Sequence, residues 1–123
     1  MIKNELNRNF DPVDLKLFCI PKYTERRGFL YILIDDAFPG HMKVGRTADV
    51  TKRLEAYNAH KPYPTAEMAW ISKGFIDVIK VEEILLKHLY SEIQPTTFRK
   101  EWFEIEHLSM ILGLVQEIED KLE

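Results

Sequence analysis

The sequence has a single cysteine, Cys19. It can therefore form no disulfide within the chain, and it has no cysteine cluster to hold zinc. No stretch approaches the roughly 18 consecutive apolar residues of a membrane span. The opening "MIKNELNRNFDPVD" lacks the apolar core of a signal peptide. An intracellular protein with no membrane segment is the expectation. There are no internal repeats and no low-complexity tracts. A cationic excess is also missing: 17 Lys and Arg face 20 Asp and Glu, a net charge of −3. That total runs against nucleic-acid binding, since many such domains are basic overall.

The distribution of charge says something different. From His41 to Lys61, five Lys and Arg stand against two acids, and the segment carries +3. From Glu101 to Glu123, seven acids stand against one lysine, and the segment carries −6. The acidic tail hides a basic region in the sum.

At 123 residues, with 46% apolar and 30% charged side chains, the chain suits one globular domain with one core. Residues 1–27 read as an arm, part helical, with Asp11 as N-cap and Pro12 at the first helical position. The connection "PKYTERRG" follows. Residues 28–123 read as the domain. "GFLYILI" is a continuous β-prone run, "DDAFPGH" is turn chemistry with His41 exposed, and "MKVGR" is the second arm of a hairpin. Asp49 caps a helix to about Ala59, and "AEMAWISKGF" is a third strand. Asp77 starts an apolar helix with Pro95 just beyond its end. "FRKEWFEI" is extended, and "HLSMILGLVQEIEDKL" is an amphipathic helix. Trp70, Trp102 and Phe103 are expected in the core. The fold class is α+β: a small, mostly antiparallel three-stranded sheet flanked by helices.

Several charged residues sit where charge needs a reason. On the helix after Asp77, Glu82 lies roughly 25° from the mean apolar direction and Glu83 roughly 125° from it. Glu82 therefore aims inward, where an unpaired carboxylate is costly. It needs a cation, either a metal or an arginine such as Arg53. Lys43 alternates with Met42 and Val44 and so lies on the opposite strand face, next to Gly45. It is either an active amine beside Tyr31 or an edge lysine that discourages strand pairing. Arg53 and Tyr57 are four apart on one helix and share a face. An arginine fork suits a phosphodiester. Lys52 on the same helix reads as solvated surface with an accessory nucleic-acid contact. Arg46, His60 and Lys61 are further phosphate-contact candidates.

Taken together, "GFLYIL" and "KVG" resemble the two halves of the GIY-YIG endonuclease signature. "KVGRT" is similar to the "KIGRT" of the small phage-type branch. "RKEWFEI", residues 99–105, resembles that branch's terminal "REWFEI". The resemblance covers about residues 28–105, with Arg53 eight residues after Gly45 as a further match. It implies a GIY-YIG-like fold and a metal-dependent DNA endonuclease using Mg²⁺ (or Mn²⁺). It places Tyr31 at the first tyrosine, Lys43 at the second, Arg53 at the family arginine, Tyr57 where some members have histidine, and Glu82 at the metal-binding glutamate. Two positions depart from the pattern: Lys43 replaces tyrosine, and Leu86 stands where the branch often has histidine. Two other functions fit the same chain. One is a catalytically weak or inactive nucleic-acid-binding regulator. The other is a protein-interaction or inhibitor domain using the acidic C-terminal helix. Oligomeric state stays open, with a dimer among the options.

Overall fold

Four strands form one antiparallel sheet: β1 (Phe29–Asp35), β2 (His41–Thr47), β3 (Ala66–Ile71) and β4 (Trp102–Glu104), in the order β3-β1-β2-β4. The structure is a computed structural model and describes residues 15–20, 26–93 and 101–122. The expectations for Asp11, Pro12, Pro95, residues 21–25 and Arg99 fall outside those residues. All seven residues of β1 are buried. A strand with no polar alternation needs cover on both faces, and β1 has it. Leu30, Ile32 and Ile34 enter one core layer, while Phe29, Tyr31 and Leu33 enter the other.

Three helices provide the cover: α1 (Val50–Asn58), α2 (Val78–Glu92) and α3 (Leu108–Leu122). Asp49 and Asp77 cap α1 and α2, accepting from the backbone N–H of Lys52 and Lys80, each at 3.1 Å. Such caps contribute about 1 kcal/mol each. α2 buries Val78, Val81, Leu85 and Leu89, and α3 buries Leu108, Ile111, Val115 and Ile118. These 3- and 4-residue steps put one stripe of each helix into the layer under Met42 and Val44. α1 covers the other face, with Val50 buried and Leu54 and Tyr57 partly so. Residues 15–20 tie onto the start of α1: the Val50 N–H donates to the Phe18 carbonyl at 3.1 Å. Among the described residues, no helix is long and apolar enough to cross a membrane.

Three details differ from the sequence reading. The sheet has four strands, because part of the extended "FRKEWFEI" segment pairs with β2 as β4. β3 ends at Ile71, and Phe75 instead returns to Gly28 as an isolated bridge. His41 is half-buried and opens β2 opposite Glu104, rather than standing exposed in the turn. The hairpin turn itself is set by Gly40 at φ 78°, a left-handed conformation that glycine adopts without strain.

Candidate functional site

The Tyr31 side chain is 2% exposed and pairs across the β1–β2 ladder with Gly45. A Cβ at position 45 would lie 2.5 Å from the Tyr31 hydroxyl oxygen, so the phenol lies directly over a glycine that leaves it room. Lys43 is two residues away on β2 and shares that face. Its Nζ donates to the Tyr31 hydroxyl at 3.3 Å and lies 3.5 Å from Glu101 Oε2. Glu101 just precedes β4, and its carbonyl accepts the Val44 N–H at 2.9 Å. The result is a line of phenol, ammonium and carboxylate, fixed by three backbone segments. The sequence placed Lys43 beside Tyr31 but did not single out Glu101. Its sequence signal was its place inside "RKEWFEI", immediately before the apolar Trp102-Phe103 pair.

On the other face stands a second pair. The β1–β2 register runs without a shift through Gly45, so Arg46 points the same way as Met42 and Val44, toward α2. Its Nε meets Glu82 Oε1 at 2.9 Å. The Glu82 side chain is 15% exposed, as its inward helical position required. Its ion-pair partner is Arg46, not Arg53, because Arg53 belongs to the helix covering the opposite face. Burial pushes the Glu82 carboxyl above its ordinary value. The Arg46 charge opposes that shift without cancelling it, and the nearby Glu101 charge reinforces it. Tyr90 is raised in the same way, first by burial and then by Glu101 and Glu82. Glu101 is therefore felt on both faces of β2.

Both pairs flank one stretch of sheet edge. β4 pairs only with His41, Met42 and Lys43, and Glu101 takes Val44. Gly45, Arg46 and Thr47 pair with β1, and on the β4 side no described strand continues alongside them.

The remaining candidates divide. Lys52 and Arg53 are exposed on α1 and have no carboxylate partner among the described residues. No hydrogen bond or ion pair joins Arg53 to Tyr31, Lys43 or Glu82. His60 is exposed just past the helix. Tyr57 is half-buried, with its ring 6.3 Å from that of Trp102 and Lys61 Nζ 4.4 Å above it. Lys61 pairs with Asp35, whose side chain is fully buried. Burial works against the Asp35 charge. Donors from Lys61, the Ala37 N–H and the Thr65 hydroxyl outweigh it and hold the carboxyl below its ordinary value. Lys61, grouped by sequence with the phosphate contacts, thus has its charge engaged inside the domain.

Among the described residues, no three His, Cys, Asp or Glu side chains gather as a metal cluster. Mg²⁺ asks for less, often one or two carboxylates with the rest of its shell from water and phosphate. Glu82, with Glu101 in its field, fits that smaller requirement. A buried carboxylate biased toward protonation is relieved most by an added cation.

The family profile of the T5orf172 domain matches residues 28–121. No curated protein and no solved structure matches the chain. The matched span reaches from the residue before β1 almost to the end of α3. It includes Tyr31, Lys43, Arg46, Arg53, Glu82 and Glu101. The chain belongs to the T5orf172 domain family.

Proposed function

We propose that this domain is a metal-dependent endonuclease that hydrolyses phosphodiester bonds in DNA through a GIY-YIG-type site. The observation that carries the reading is the placing of two charged pairs on the two faces of β2. Tyr31 accepts from the Lys43 amine on one face, and the largely buried Glu82 pairs with Arg46 on the other. Membership of a family associated with nuclease-type proteins supports a DNA-related role.

The residues divide the work by chemistry. Arg53, exposed and without an ion pair among the described residues, offers its planar fork to phosphate oxygens as charge develops on them. Lys52 adds a point charge beside it. The attacking water gives its proton to Tyr31 in its phenolate form, which the Lys43 ammonium stabilises by donating to it, with Glu101 behind Lys43 as the counter-charge. Arg46 lies on the α2 face of β2. Glu82 would hold the divalent cation, Mg²⁺ or Mn²⁺. When bound, that cation supplies Lewis acidity to the leaving 3′ oxygen.

The Arg46–Glu82 ion pair also favours a second reading, a nucleic-acid-binding module that does not cut. A carboxylate already facing arginine has a cation without any metal. A partner-docking role for α3 draws less support. Its apolar stripe is used by the domain's own core, so docking there would rest on charge alone.

Single-turnover cleavage of duplex DNA by wild type, Arg53→Lys and Lys52→Ala separates these readings. A nuclease should lose roughly 100-fold in rate with Arg53→Lys, since lysine cannot reproduce the fork. Lys52→Ala should keep close to the wild-type rate at saturating DNA, since its point charge acts in binding. Equal cleavage by Arg53→Lys and wild type removes the transition-state role. Salt-dependent binding with no cleavage by any of the three identifies the binding module.

A further inference from the structure

We infer that Arg46 is a substrate-operated counter-ion: it occupies Glu82 in the free protein and releases it when a DNA phosphate takes the guanidinium. This rests on the cation-binding role proposed for Glu82 and adds a coupling that the role does not require.

Three observations carry it. The first is the direct contact, Arg46 Nε to Glu82 Oε1 at 2.9 Å, which places a positive charge on the carboxylate that would hold a metal. The second is the asymmetry of exposure. The Arg46 side chain is 44% exposed and the Glu82 side chain 15%. The guanidinium can leave for solvent while the carboxylate stays. The third is the atom used. The pair engages Nε, and neither Nη of Arg46 has a partner among the described residues. The Arg46 side chain is exposed enough for a phosphate arriving from solvent to bind the Nη groups before Nε lets go. The arginine fork has donors enough for both steps.

The consequence follows from competition. Arg46 and a divalent cation seek the same carboxylate. The apparent metal affinity is therefore scaled by the fraction of molecules in which Arg46 is away. A phosphate that holds Arg46 raises that fraction. By linkage, bound metal raises phosphate affinity by the same factor. The free domain would carry little metal, and DNA would load it.

The test is Mn²⁺ binding, read as loss of the free-ion electron paramagnetic resonance signal. It uses the full chain, with and without a cleavage-resistant phosphorothioate duplex, and a DNA-only blank is subtracted. Wild type should bind weakly alone and roughly tenfold more tightly with the duplex, the factor for a pair closed about nine-tenths of the time. Arg46→Gln should bind tightly alone, with little further gain from DNA. Arg46→Lys, which keeps charge but not the fork, should fall between them. Glu82→Gln should bind neither way. Thermal melts check that each variant is folded. Wild-type or weaker Mn²⁺ affinity in both Arg46 variants, with binding still lost in Glu82→Gln, overturns the gating and leaves Glu82 as the ligand. Identical Mn²⁺ binding by wild type and Glu82→Gln overturns the metal role and the gating together.

Discussion

Two ion pairs in this domain look alike at first. Lys61–Asp35 and Arg46–Glu82 each bring a cation to a well-buried acid from a distant part of the chain. Their carboxyls nonetheless move in opposite directions, Asp35 below its ordinary value and Glu82 above. The difference lies in the number of donors. Asp35 accepts from Lys61, from the Ala37 N–H at 2.9 Å and from the Thr65 hydroxyl at 2.7 Å. Glu82 has one guanidinium nitrogen and a second carboxylate, Glu101, in its field. A fully solvated-by-protein acid stabilises the fold. An under-compensated one is left short of donors. The first pair reads as structure and the second as a site.

Substituting each acid in turn should break the comparison most plainly. Glu82→Gln should lower single-turnover cleavage by about 1000-fold or more, while DNA affinity stays near wild type. Asp35→Asn should leave the rate per folded molecule unchanged. A rate loss shared equally by both variants would erase the distinction.

Stability should show the reverse. Asp35→Ala strands Lys61, Thr65 and the Ala37 N–H, and breaking such a buried pair costs about 3 kcal/mol. That corresponds to a fall of roughly 10 °C in Tm. Glu82→Gln should change Tm far less, because the lost Arg46 contact is offset by removing a poorly compensated buried charge. Thermal melts of the two variants check this directly.

Much of this was legible in the residues before the fold. Asp49 and Asp77 announce their helices by local chemistry. Met42 and Val44 put Lys43 on the far face by alternation, and the 3.6-residue period turns Glu82 inward. What was not legible was which cation meets which acid. Arg46 and Glu82 are 36 residues apart, and Lys61 and Asp35 are 26 apart. Those pairings depend on which sheet face each helix covers, and periodicity does not specify that. The sequence therefore suggested Arg53 for Glu82 and phosphate for Lys61. Glu101 was hidden for a related reason. Its importance comes from edge pairing with Val44, a long-range backbone contact.

A smaller effect is expected at Gly45. Gly45→Ala places a methyl group against the buried Tyr31 hydroxyl. Overpacking of this kind costs about 1–3 kcal/mol. The displaced phenol should also lose its 3.3 Å contact with Lys43. Cleavage should fall with the fold intact, and a Tyr31 ring NMR signal that does not move would argue against the close packing.

The smallest effect is the pH dependence of stability, and its sign differs between the two acids. The raised Glu82 carboxyl favours the folded state while protonated. Its contribution is present below the ordinary glutamate value of 4.5 and is lost as pH rises through the folded value. The lowered Asp35 carboxyl contributes above the ordinary aspartate value of 3.8, and that contribution is lost as pH falls through the folded value. Relative to wild type, Glu82→Gln should gain stability as pH rises above 4.5, and Asp35→Asn should gain as pH falls below 3.8. Denaturant melts across pH 3 to 7 read both slopes (roughly the titration range of carboxylates).

The most direct measurement is nicking of supercoiled plasmid by wild type and Glu82→Gln, titrated with Mg²⁺ and with Mn²⁺ against an EDTA control. Wild type should nick only with metal, and Glu82→Gln should stay at background at every concentration. Metal-independent nicking, equal nicking by the two proteins, or none by wild type despite tight DNA binding would contradict a metal-dependent nuclease centred on Glu82.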